Sequence, residues 1–317
     1  MNLHSKKIID VSEMVSIGGI KQHIMVRGNP QNPIILFIHG GPGIPYSCIS
    51  DCFQENIEQD FLVVNWDQRG AGKSYSEDIP IDTMNLEHFI FDLMEVVDYL
   101  LNTYQKNKLF LSAQSIGSVY GLMSVHRFPD KFYGYISTGQ IVDTIQNEKV
   151  SYNLIFNEAK KLNNTEAIKE LSEIGSPPYK DIINNIGIER KWLSILGYIE
   201  KNFRVFEYIS NNCTREELDI IMKGQEFSVN HLFADIYENG INFFKTIKDI
   251  KVPVYFCMGR YDYVAPQILT EKYCETLVCP TKKCIWFENS AHFPELDEPN
   301  KFYQVLLEIL HETIDKK

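Results

Sequence analysis

The chain has 317 residues, 44% of them hydrophobic and 23% charged, and a formal net charge of −11. That is enough chain for one large domain, or a core plus an insertion, at a composition ordinary for a globular protein. The acidic balance disfavours nucleic acid and anionic membrane surfaces as partners, because both repel negative charge.

No window supplies the ~18 consecutive apolar residues that a membrane span needs. Met1 to Asp10 carries Lys6 and Lys7 but no apolar core followed by a small-residue cleavage site, so no signal peptide is expected. The seven cysteines are scattered, and Cys279 and Cys284 are too far apart for a C-x-x-C pair. Reduced thiols in a cytoplasm are the expectation, without a metal cluster.

In chain order, Val15 to Val26 around Gly18-Gly19 predicts a hairpin. The unbroken apolar runs Ile34–Ile38 and Phe61–Trp66 predict strands covered on both faces, as in a parallel sheet. Between Asn85 and Tyr104, Leu86, Phe89, Ile90, Leu93, Val96, Val97, Leu100 and Leu101 fall at helical spacing. A strand over Lys108–Ser112 leads into a sharp turn at Ser115. A helix then runs from Ile116 to Arg127 and stops before Pro129, and Tyr133–Ser137 is another strand.

From Asp143 to Lys248 the rhythm changes to polar, helical sequence, broken once at Ser176-Pro177-Pro178. Strands return at Val252–Met258 and Cys284–Phe287, and a last helix spans Asn300–Ile314. Alternating strands and helices predict a mostly parallel sheet with helices on both faces. Residues 1–142 and 249–317 form that α/β core, and 143–248 a helical cap. The cap would sit over the carboxyl ends of the strands, where open α/β sheets bind ligands. Its aromatics Phe156, Trp192, Phe203, Phe206, Phe227, Phe233 and Tyr237 either pack its own core or line an apolar pocket.

Four segments carry the chemistry. His39-Gly40-Gly41-Pro42-Gly43 follows a buried strand, and its glycines let the backbone offer an N–H group to a substrate oxygen. Ala113-Gln114-Ser115-Ile116-Gly117 puts a serine on a strand-to-helix turn, where the next residue's N–H and the helix N-terminus favour an oxyanion. Gly259-Arg260-Tyr261-Asp262 and Asn289-Ser290-Ala291-His292 each follow a strand. Ser115, Asp262 and His292 thus run nucleophile, acid, base in the chain order of an α/β-hydrolase triad. Asp143 is the rival acid, and His39 and His126 are the rival bases.

His39-Gly40-Gly41-Pro42-Gly43 followed by Asp67-Gln68-Arg69-Gly70-Ala71-Gly72-Lys73-Ser74 resembles the prolyl iminopeptidase group of α/β-hydrolases. The resemblance covers residues 15–140 and 250–315. It implies the α/β-hydrolase fold with a helical cap, an oxyanion hole from the N–H groups of Gly41 and Ile116, and no cofactor or metal. Two departures limit it. The elbow reads Ala113-Gln114-Ser115-Ile116-Gly117 where the family typically has G-G-S-W-G. The cap holds Trp192 but no W-x-x-W-E run to supply an amine-binding glutamate. Glu200, Glu207, Asp235 and Glu238 are candidate substitutes.

The expected function is therefore hydrolysis of an ester or amide in a small molecule or short peptide through an acyl-enzyme, with release of N-terminal proline as one form. An esterase or lactonase of the same fold, and a non-catalytic ligand-binding protein, are the alternatives. Asp67 and Arg69 are expected to fix loops beside the site.

Overall fold

The structure is a computed structural model describing residues 8–314. The reading of Met1 to Asp10 as carrying no signal peptide falls mostly on residues 1–7, which lie outside the described residues. No helix described is long and apolar enough to cross a membrane.

Eight strands form one sheet in the order β1-β2-β4-β3-β5-β6-β7-β8. β1 (Ile9–Ile17) and β2 (Ile20–Gly28) make the hairpin, with Gly18 and Gly19 at φ 55° and 79° in its turn. β3 (Ile34–Ile38), β4 (Leu62–Asp67), β5 (Leu109–Gln114), β6 (Phe132–Thr138), β7 (Val254–Gly259) and β8 (Lys282–Phe287) run parallel to one another.

The apolar runs follow from burial on both faces. In β3, Ile34, Leu36 and Ile38 enter one core while Ile35 and Phe37 enter the other. The first core lies against α1 (Leu86–Thr103), α2 (Gly117–Arg127) and α10 (Gln267–Thr276), and the second against α12 (Pro299–Ile314). Asn85 caps α1 by accepting the His88 N–H, and seven of the eight apolar residues at helical spacing are buried against the sheet. Each such side chain contributes roughly 1.5–3 kcal/mol.

β6 and β7 are neighbours in the sheet, yet over a hundred residues separate them in the chain. That segment folds as α3 (Thr144–Lys161), α4 (Thr165–Ile174), α5 (Ile182–Ile195), α6 (Val205–Asn212), α7 (Arg215–Ser228), α8 (Ala234–Asn239) and α9 (Phe243–Thr246). A π-helical turn, Val229–Phe233, joins α7 to α8. Asp143, Asn164 and Asp181 cap α3, α4 and α5, and Thr214 with Glu217 forms a capping box on α7. The inserted helices have their own small core of Tyr152, Ile155, Ala159, Ala167, Leu171, Trp192 and Leu193. Phe156 packs against that core, so it and Trp192 serve packing.

Candidate active site

Ser115 sits between β5 and α2 at φ 52°, a left-handed conformation uncommon for a residue with a side chain. Its N–H donates to Thr138 O at 3.0 Å, which anchors the turn to the end of β6. Close packing of strand and helix is what a sharp turn needs. A Cβ on Gly121 of α2 would lie 2.9 Å from the Ala113 methyl. The departure at Ala113 is thus absorbed because the helix presents no side chain opposite it.

His292 follows β8 and Asp262 follows β7. His292 Nε2 is 2.8 Å from Ser115 Oγ, and His292 Nδ1 is 2.9 Å from Asp262 Oδ2. Asp262 Oδ1 accepts the N–H groups of Val264 and Ala265, both at 2.9 Å. These bonds fix the carboxylate and leave Oδ2 for the histidine, an arrangement that places the imidazole proton on Nδ1 and a lone pair toward the serine. All three side chains are buried.

The rivals are engaged elsewhere. Asp143 accepts from Gln146 N and Asn242 Nδ2. His39 bonds to Gly40 O and receives the Gln68 N–H, and burial lowers its pKa to about 4, which keeps it neutral. His126 bonds to Asp249 O. Asp67 meets His23, Ser47 and the Lys73 N–H, and Arg69 makes a buried two-pronged pair with Asp92 at 2.8 and 2.9 Å. The Asp67–Gly70 turn therefore fixes loops, as expected.

Gly41, at φ 112°, lies in the loop facing Ser115, and Ile116 follows the serine. Among the described residues neither N–H donates to a protein acceptor. Both are available to an oxyanion.

A cavity of about 310 Å³ opens over Ser115 and His292. The inserted helices supply much of its wall, with Ile183, Ile186, Phe206, Val229 and Phe233 among them. Of the seven aromatics named above, Phe206 and Phe233 line it. Arg190 is its one lining residue with a fixed charge. Its guanidinium contacts both oxygens of Glu148 at 2.8 Å and Glu189 Oε1 at 3.0 Å. Burial pushes the Glu189 carboxyl above the ordinary glutamate range, and the Arg190 guanidinium opposes that shift. Tyr179 and Tyr237 complete the cluster by donating to Glu189 and Glu148.

None of the four candidate carboxylates lines the cavity. Glu200 accepts the Val205 N–H, Asp235 accepts the Leu86 N–H, and Glu207 and Glu238 are exposed. Arg190 and the π turn escaped sequence reasoning. The residues that hold Arg190 lie on two helices, and the π turn keeps ordinary helical spacing in its apolar residues.

The comparisons with known proteins agree with this architecture. A probable aminopeptidase of Bacillus subtilis (strain 168), YbaC, is 34% identical over 311 residues, covering 95% of this chain and 96% of that protein. A proline iminopeptidase of Heyndrickxia coagulans is 25% identical over 87% of this chain and 90% of its own length. Among solved structures, a proline iminopeptidase-related protein from Thermus thermophilus superposes with a TM-score of 0.64 at 17% identity, covering 97% of this chain and 99% of that one. The family model for the alpha/beta hydrolase fold matches residues 33–299, and on that span and the full-length similarity to YbaC the chain belongs to the α/β-hydrolase-fold family.

Proposed function

We propose that the chain is a serine hydrolase working through an acyl-enzyme, with Ser115 as nucleophile, His292 as base and Asp262 as the orienting acid. The hydrogen-bonded line from Ser115 Oγ through His292 to Asp262 carries this reading. His292 Nε2 takes the Ser115 proton as Oγ attacks an ester or amide carbonyl. The oxyanion rests on the N–H groups of Gly41 and Ile116, and His292 then protonates the leaving group. Water, activated by the same histidine, releases the acyl group. The inserted helices act as the cap that shapes the acyl pocket.

The relatives named aminopeptidase or proline iminopeptidase support a substrate with a free N-terminus. A second reading rests on the cavity wall. It presents no carboxylate, and an ammonium buried without a counter-charge costs several kcal/mol. That favours a neutral apolar acyl group, as in an esterase.

A fluorophosphonate probe tests the nucleophile. It should label the native chain and leave Ser115→Ala unlabelled, and labelling of another serine would refute the assignment. Proline arylamide, its N-acetyl form and a short-chain aryl ester separate the two substrate readings. Strong preference for the free amine supports the aminopeptidase, and equal or better turnover of the other two supports the esterase.

A further inference from the structure

One buried acid beside the triad has no part in the mechanism above. Glu295 is the second residue of the short helix α11 (Pro294–Asp297), lies three residues past His292, and is 1% exposed. Its Oε1 accepts the Tyr46 hydroxyl, and its buried Oε2 makes no hydrogen bond. Tyr46 lies three residues beyond Gly43, in the loop that starts with the proposed oxyanion donor.

The other groups facing Glu295 come from the strands that carry the triad. The Thr138 hydroxyl lies alongside, on the residue whose carbonyl holds the Ser115 N–H. Cys257, on the strand that leads to Asp262, faces it with a thiol that burial keeps neutral. His292 is close enough for its charge to act on the carboxyl. No lysine or arginine hydrogen-bonds to Glu295 among the described residues. The Tyr46 hydroxyl, the backbone and the Thr138 hydroxyl favour the carboxylate first, and a charged imidazole adds to them, an interaction that must run both ways.

We propose that Glu295 is a positioning residue of the reaction, a second buried carboxyl that in its ionised form stabilises the imidazolium created when His292 takes the Ser115 proton. The proposal rests on the serine mechanism above. Burial raises the Glu295 pKa to about 7, so its charge is switched within the neutral range. Below that pH it is a neutral acid hydrogen-bonded to Tyr46. Above it, a second buried carboxylate lies near the imidazole that Asp262 already holds, and proton transfer from Ser115 becomes easier.

The test is the pH dependence, from 5 to 9, of the rate at which a fluorophosphonate labels Ser115. In that step the Ser115 Oγ–P bond forms, P–F breaks, fluoride leaves and the serine proton goes to His292. This rate needs no knowledge of the natural substrate. The native chain should show two ionisations on the acid side and Glu295→Gln only one. At pH 8 the variant should be slower on the order of tenfold, the size expected of a unit charge acting through protein of moderate polarity. At pH 5.5 the two rates should converge. Glu295→Asp should restore the second ionisation.

Tyr46→Phe removes the donor that favours the carboxylate and should push that ionisation to higher pH, which keeps the idea testable should Glu295→Gln misfold. A purely structural role would lower the Glu295→Gln rate by one factor at every pH, and that parallel profile would overturn the proposal. So would a Tyr46→Phe profile with its ionisations unmoved. Loss of labelling in Ser115→Ala alongside either result confines the failure to Glu295, whereas labelling at another serine would reject the serine mechanism itself.

Discussion

Replacing Asp262 by asparagine probes the triad through its hydrogen bonds alone. Asp262 Oδ1 holds the N–H groups of Val264 and Ala265, and Oδ2 faces His292 Nδ1 at 2.9 Å. An asparagine in the same place must keep its carbonyl oxygen on the two backbone donors. The flipped amide would set NH₂ against two N–H groups and leave buried donors unpaired, at about 1–3 kcal/mol each. The amide therefore points NH₂ at His292 Nδ1. That nitrogen must become the acceptor, so the proton moves to Nε2, which faces Ser115 Oγ at 2.8 Å. In this tautomer the imidazole cannot accept the serine proton. Escape requires the costly flip, and the imidazolium then lacks its counter-charge. Together these should amount to about 5–6 kcal/mol, or ~10⁴ in rate near neutral pH. The assay is labelling of Ser115 by a fluorophosphonate, or hydrolysis of an aryl ester, with a thermal melt showing that the fold persists. A loss below tenfold, or a larger loss from Asp143→Asn, would refute the argument.

Three further outcomes follow from the packing. Asp92→Asn leaves Arg69 buried without its partner, so stability should fall by about 3–5 kcal/mol, read from urea unfolding. Arg69→Met combined with Asp92→Leu should recover much of that loss. A Cβ on Gly117 would lie 2.6 Å from His39 O, so Gly117→Ala must push α2 from the oxyanion loop. Turnover should drop on the order of 10²-fold, with less change in melting temperature. Glu295→Gln should also change the pH dependence of stability. The folded Glu295 keeps its proton to about pH 7, whereas the unfolded chain releases it near the ordinary glutamate value of 4.5. The native chain thus loses stability as pH rises between those values, by ~3 kcal/mol at most. The melting temperature of the variant relative to the native chain should rise from pH 5 to pH 8, and a flat difference would count against a neutral buried acid.

Much of the fold could be read from the sequence because the sheet is covered on both sides. Ile34–Ile38 is wholly buried, so its run is unbroken and marks a parallel strand at once, and Leu109–Gln114 is buried throughout although Ser112 and Gln114 interrupt its apolar residues. The candidate residues Ser115, Asp262 and His292 were legible for a related reason, since each stands shortly after a strand of the parallel sheet. Strand ends in the parallel sheet moved by only a residue or two, as with Phe61–Trp66, which pairs as Leu62–Asp67. The first hairpin strand, expected from Val15, begins instead at Ile9, where alternate residues stay exposed.

What stayed hidden depends on tertiary environment. Within Pro294-Glu295-Leu296-Asp297-Glu298, burial sets three acids in three different surroundings. Glu295 is sealed against Tyr46, and Asp297 binds four backbone N–H groups, while Glu298 reaches the surface turn at Asn289 and Ser290. Glu148 and Arg190 lie 42 residues apart on different helices, and only the folding of the insertion joins them.

The stretch between α5 and α6 has a practical consequence. The His292 N–H donates to Ile199 O at 2.9 Å, and Tyr198 stacks on Tyr263 at 4.2 Å. Asp297 grips the N–H groups of Lys201, Asn202 and Phe203 through Oδ1, and that of Ala291 through Oδ2. These few residues belong to the insertion by sequence and to the scaffold of the histidine by bonding. Deleting the helical segment to widen access would not yield an open enzyme. It would strip one backbone acceptor from the histidine and three donors from the acid that steadies its loop. An engineer seeking new specificity should keep residues 198–203 intact as a splice site and exchange the helices on either side of it.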